Sequence, residues 1–133
     1  MTTITLREAT ESDAAAVARL SGQLGYPMGP ATARERLDAL AHGGRDAIFV
    51  ASADGGQVIG WVHVFGAQHF VTEPFAEVGG LIVDEACRGQ GIGRVLLARA
   101  EDWAREHEFY RHHGYELRKT QGVFELALGA GTE

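Results

Sequence analysis

The sequence is short of several things, and each shortage excludes something. One cysteine, Cys87, stands among 133 residues, so no internal disulfide can form and no all-cysteine metal cage can be built. Three prolines leave most of the chain free for regular elements, and two of them, Pro27 and Pro30, share one irregular stretch. Basic residues are in deficit: 12 Lys and Arg against 18 Asp and Glu give a net charge of −6, which repels phosphate backbones and argues against nucleic-acid binding. No apolar run approaches the roughly 20 residues needed to cross a bilayer, and no membrane partner is expected. Residues 1–9 lack the basic start and apolar stretch of a secretory signal, so a cytoplasmic protein is expected. Glycine is in surplus instead, 18 residues, which means that many positions turn tightly or approach something closely.

The length corresponds to one domain, residues 1–133, large enough for a core without metals or staples. Ile4 to Ala9 alternates as a short strand. Thr10 with Asp13 opens a helix carrying Val17, Leu20 and Leu24, which gives way to the glycine- and proline-rich stretch from Gly22 to Pro30. Thr32 and Glu35 have the spacing of a capping box ahead of Leu37 and Leu40, which predicts a second helix ending near His42. Ala47 to Ala51 and Val58 to Phe65, joined through Asp54, Gly55 and Gly56, read as a hairpin. A loop carrying Thr72 to Phe75 leads to a further strand, Glu77 to Val83. A long helix from Ile92 follows, with Val95, Leu96, Ala100, Trp103 and His107 at helical spacing. The remainder reads as a helix over Phe109 to His113, stopped by Gly114, and two strands near Tyr115 to Arg118 and Val123 to Leu128.

Between the Glu77–Val83 strand and the long helix lies Arg88-Gly89-Gln90-Gly91-Ile92-Gly93. Glycines at this junction let backbone N–H groups converge, and the helix N-terminus adds about half a positive charge, so the loop can cradle phosphate oxygens; a glycine-rich helix entry without a ligand has the same composition. No Gly-Lys-Ser/Thr follows, so the loop is not a Walker A motif. Leu96 stands where a dinucleotide fingerprint needs its third glycine.

Arg88-x-x-Gly91-x-Gly93, in its setting between an apolar strand and an amphipathic helix, resembles the acetyl-CoA motif of the GNAT superfamily of N-acetyltransferases. Leu6-Arg7-Glu8-Ala9-Thr10 with Asp13 is similar to the start of that family, and Phe109-Tyr110-x-x-His113-Gly114-Tyr115 to its signature near the C-terminus. The three stand in the family's order. The resemblance implies an α/β (α+β) fold with a mixed, mostly antiparallel central sheet flanked by helices, whose fourth strand splays to open a cleft. It implies acetyl-CoA as co-substrate and no metal. Leu81, Ile82 and Val83 would pair with the pantetheine amides, and Arg88, Gly89, Gln90, Gly91, Ile92, Gly93 and Arg94 would hold the pyrophosphate.

Transfer of an acetyl group to an amine needs a neutral amine, a polarised thioester and a proton for the departing thiolate. Glu77 matches the place where some relatives carry a general base, and its other reading is a solvated carboxylate at a strand end. Tyr110 matches the family's general acid, and its other reading is an aromatic packed on the sheet. His63, on one face with Trp61 and Phe65, is an alternative base or a hydrogen-bonded structural histidine. His112 and His113 lack metal-ligand spacing, and Cys87 lacks a partnering base. The acceptor implied is a small-molecule amine or a peptide amine, and the negative charge favours a cationic one. A catalytically silent acyl-CoA-binding or interaction module of the same fold is the alternative.

One departure from the family is plain. Trp103 to Glu108 runs straight into Phe109-Tyr110, where relatives place a strand parallel to the fourth, so the region after the motif helix is shortened. A helix continuing into the tyrosine segment, a strand borrowed from a second copy, and a segment missing from the sequence each fit. An open sheet edge and the habit of relatives imply a homodimer.

Overall fold

The chain's period-two segments pair in chain order. β1 (Thr5–Glu8), β2 (Asp46–Ser52), β3 (Val58–Ala67) and β4 (Phe75–Val83) form one sheet, and every pairing in it is antiparallel. The structure is a computed structural model that describes residues 3–71 and 73–109 and the backbone of 115–120 and 123–128. Helices α1 (Ala14–Leu24) and α2 (Pro30–Ala41) cover one face of the sheet and α3 (Ile92–Glu106) the other.

Alternation along the strands supplies both cores. Toward α3 point Phe49 and Ala51, Val62 and Val64, and Ala76 and Val78, against Ile92, Leu96, Ala100 and Trp103. Toward α1 and α2 point Ile48, Val50 and Ile82, against Val17, Leu20 and Leu37. Leu20 and Leu96 are fully buried, each worth about 1.5–3 kcal/mol of apolar burial. Val95, one position off the α3 stripe of Ile92, Leu96, Ala100 and Trp103, is 43% exposed.

The cap expected at Thr10 and Asp13 is present, but it opens a single 3-10 turn, Glu11–Asp13, that leads into α1. The Thr10 amide donates to Asp13 Oδ2 at 2.8 Å, and Arg7 grips the same carboxylate with two hydrogen bonds of 2.8 and 2.9 Å. It ends later than expected: Gly22 is helical, and the stop is Gly25, whose φ of +103° is the left-handed turn that glycine accepts without strain. The second helix starts earlier. Pro30 occupies its first position after Gly29, because a residue with no N–H to satisfy costs nothing there, so Thr32 and Glu35 lie inside the helix and do not cap it. β4 likewise begins at Phe75, two residues before the expected start.

After α3, the His107 amide and Nδ1 both face the Trp103 carbonyl, at 3.0 and 2.9 Å, and close the helix. Phe109 is not helical. Its ring stacks on Trp103 at 5.7 Å and lies over Gly66 of β3, where a Cβ would stand 2.5 Å from Cε1. The rest of the expected helix, Tyr110 to His113, lies outside the described residues. β5 (Tyr115–Thr120) and β6 (Val123–Leu128) form a separate antiparallel hairpin, with β6 running beside β4. Among the described residues no strand lies between α3 and Tyr115. No described helix is long and apolar enough to cross a membrane.

Candidate active site and coenzyme cleft

A short path from β4 to α3 builds the cleft. Asp84, at the end of β4, accepts the Ala86 amide at 3.1 Å and is met by two side chains of α1, Arg19 Nη1 at 2.9 Å and Gln23 Nε2 at 3.4 Å. The Ala86 amide first, and then Arg19, hold its carboxyl below the usual aspartate range. Gln23 Oε1 accepts the Glu85 amide at 2.9 Å, so the last turns of α1 are tied to the turn that leads into the glycine loop.

The loop then opens the helix without a capping side chain. Gly91 is the N-cap of α3 with φ +81°, a conformation that costs an L-residue about 1–2 kcal/mol, and among the described residues no side chain bonds the first-turn amides there. Ile92, Gly93 and Arg94 therefore present N–H groups at the positive end of a 15-residue helix. Gly93 brings that end onto β4, with a Cβ position 3.7 Å from Val83 Cγ2. Arg88 is exposed, and its Nε donates to the Val83 carbonyl at 2.9 Å.

That carbonyl lies on the side of the strand turned away from β3. Asp84 N–H bonds Ile59 O across β3 at 2.8 Å, so alternation turns the polar groups of Ile82 toward β3 and those of Leu81 and Val83 away from it. A cleft of about 470 Å³ joins this edge to the loop, lined by Gln23, Leu24, Leu81, Val83, Arg88 and Gly91 among others. Of the residues expected to hold the coenzyme, Ile82 and Ile92 are buried, and the cleft also borders Cys87.

On the opposite side of β4 the strand is interrupted. His63 pairs with Gly80 and Val64 with Val78, leaving Gly79 as an extra residue, a bulge that bends the strand in the middle of the sheet. Trp61, His63 and Phe65 line the α1/α2 face of β3, as their alternation predicts. Trp61 rests on Gly80, and His63 rests on Gly79, where a Cβ would stand 2.9 Å from Nδ1. Both positions have room for no side chain. Glu77 pairs with Phe65 and so shares this face; it is half-buried and lies within β4 rather than at its start.

A residue that sequence reading passed over completes the face. Asp46 of β2 places Oδ1 2.8 Å from His63 Nε2, with both side chains about one-fifth exposed. The pair is 17 residues apart in sequence, and only the hairpin register, Asp46 opposite Phe65 and Ile48 opposite His63, brings it together. Tyr110, His112 and His113 lie outside the described residues. Among those described, no group of three or more His, Cys, Asp or Glu side chains is arranged to hold a metal ion.

Comparison with known proteins agrees with this architecture. The model of the acetyltransferase (GNAT) family matches residues 14–129. An aminoglycoside N(6′)-acetyltransferase type 1 of Stenotrophomonas maltophilia is 34% identical over 106 residues, 77% of this chain and 68% of the relative. Among solved structures, aminoglycoside N-acetyltransferase AAC(6′)-Iy in complex with CoA superposes with a TM-score of 0.71 at 19% identity, over 80% of this chain and 72% of that one. Aminoglycoside 6′-N-acetyltransferase AAC(6′)-Ih from Acinetobacter baumannii does so with a TM-score of 0.71 at 21% identity, over 80% and 74%. At these identities the two structures speak for the fold.

Proposed function

From the membership of this chain in the GNAT family of acetyl-CoA-dependent N-acetyltransferases, to which it belongs, we propose that it transfers the acetyl group directly to a primary amine of a small cationic acceptor within a ternary complex. The observation that carries this reading is the junction of the α3 N-terminus with the Leu81–Val83 stretch of β4 in one cleft. The amides from Gly89 to Arg94, with the charges of Arg88 and Arg94, hold the pyrophosphate. The edge at Leu81 and Val83 takes the pantetheine as an added strand, with Ile82 contributing its position in the wall. The acetyl group then reaches the bulge at Gly79, where β4 opens toward Trp61, His63, Phe65 and Glu77.

Glu77 supplies negative charge on the acceptor side and is one group there able to take a proton. Tyr110, placed by the C-terminal signature, returns a proton to the departing thiolate. An aminoglycoside is the first acceptor to test, because the 34%-identical relative acts in that class and the chain carries a net charge of −6. The test is thiol release from acetyl-CoA with a panel of aminoglycosides, polyamines and peptide N-termini, with the acetylated product identified by mass. Turnover with a polycationic small molecule supports the reading. Coenzyme binding with no thiol release from any amine identifies the silent acyl-CoA-binding module instead.

A further inference from the structure

We propose that His63, oriented by Asp46, is the group that takes the proton from the acceptor ammonium, and that Glu77 serves beside it as the anion that draws the acceptor in. The inference rests on the transferase reading above and assigns one of its steps. Ionised Asp46 can only accept, so its 2.8 Å contact fixes the imidazole proton on Nε2 and leaves the lone pair on Nδ1. Nδ1 is the atom nearest to the Cβ position of Gly79, so the basic nitrogen faces the bulge of β4. A base held through its other ring nitrogen by a carboxylate, on the face from which the acceptor enters, is the arrangement that activates a nucleophile.

The surroundings suit the assignment. Among the described residues Asp46 from β2 bonds His63 and Glu77 from β4 shares its face opposite Phe65, while α2 turns Ala33 and Leu37 toward this face and keeps Arg34, Glu35, Arg36 and Asp38 in solvent. Phe65 flanks the imidazole at 5.3 Å between ring centroids. The imidazole retains 22% of its side-chain surface, enough for an amine to approach.

The step balances without a further reactant. His63 Nδ1 takes one proton from the ammonium, and Asp46 stabilises the imidazolium. The neutral amine attacks the thioester carbonyl, the C–N bond forms, the C–S bond breaks, and the electron pair leaves on sulfur. The second proton lost by nitrogen goes to the thiolate, and His63 returns its proton to solvent.

The test uses the full chain with acetyl-CoA and kanamycin A, comparing His63→Gln, Asp46→Asn and Glu77→Gln with the wild type. His63→Gln is expected to lower kcat/KM for the acceptor about 100-fold, at the low end of what a positioned base contributes, and to abolish the acidic limb of its pH profile. Acetyl-CoA affinity by calorimetry stays at the wild-type value, which separates this effect from misfolding. Asp46→Asn removes the carboxylate that orients the imidazole through Nε2, so kcat for the acceptor falls while its KM and the acetyl-CoA affinity hold; it keeps the imidazole and provides the test if His63→Gln fails to fold. Glu77→Gln raises KM for the acceptor and keeps the limb. An His63→Gln profile that retains the wild-type limb overturns the proposal, as does loss of the limb in Glu77→Gln. A wild type that transfers to no amine overturns this inference together with the transferase reading, whereas an active wild type matched by His63→Gln overturns this inference alone.

Discussion

Alanine at position 66 tests how the chain leaves α3. Gly66 lies under the Phe109 ring, and an alanine Cβ would stand 2.5 and 2.6 Å from Cε1 and Cε2. Carbon contacts are most favourable at about 3.5–4.0 Å, so the ring must retreat by about 1 Å or leave. Leaving forfeits the stack on Trp103, about 0.5–1.5 kcal/mol, and part of the burial of a phenylalanine, a further ~1 kcal/mol. Against this, alanine in a strand interior gains about 0.5–1 kcal/mol over glycine. The balance is a destabilisation of about 0.5–2 kcal/mol, where propensity alone predicts a gain. Urea unfolding followed by tryptophan fluorescence measures it. Combined with Phe109→Ala, which frees the space, the same substitution becomes neutral or stabilising. A Gly66→Ala protein as stable as the wild type, with no coupling to Phe109, refutes the packing argument.

Three further outcomes are expected. Gly91→Asp combines a strained φ with a negative charge at the loop, and a carboxylate about 5 Å from a phosphate at an effective dielectric of about 40 costs ~1.7 kcal/mol per charge, so acetyl-CoA should bind more than 10-fold more weakly than to Gly91→Ala in the same calorimetric titration. Tyr110→Phe should lower kcat with little change in acetyl-CoA affinity, and unaltered turnover removes the general-acid role. Asp13 and Asp84 are both held below the ordinary aspartate value, Asp13 mainly by its hydrogen bonds from Arg7, so their contribution to stability is complete above about pH 4 and is lost as the pH falls through their folded values. Denaturation midpoints measured down to pH 2 should show that loss, and Asp13→Asn should flatten it.

Local chemistry made much of this structure legible in the sequence. The hairpin at Asp54 to Gly56, the strand into the glycine loop, the amphipathic α3 and the Thr10–Asp13 cap each rest on neighbours in sequence, and each is present. Thr32 and Glu35 misled because their spacing satisfies the capping rule while Pro30 satisfies a competing one two residues earlier. Gly79 could not be read as a bulge, because a bulge is a property of register between two strands. Asp46 escaped for the same reason, although extending the hairpin pairing outward from its turn places it on the face of His63. The shortened region was legible as a gap, and β6 beside β4 was not, since it depends on where a distant hairpin docks.

The central claim is that the cleft between β4 and the start of α3 holds acetyl-CoA. Calorimetric titration of the 133-residue chain with acetyl-CoA, and then with free CoA in competition, tests it most directly. Saturable one-to-one binding, displaced by CoA and weakened by Gly91→Asp, is the predicted result. A folded protein of the correct mass that takes up neither molecule would contradict the account.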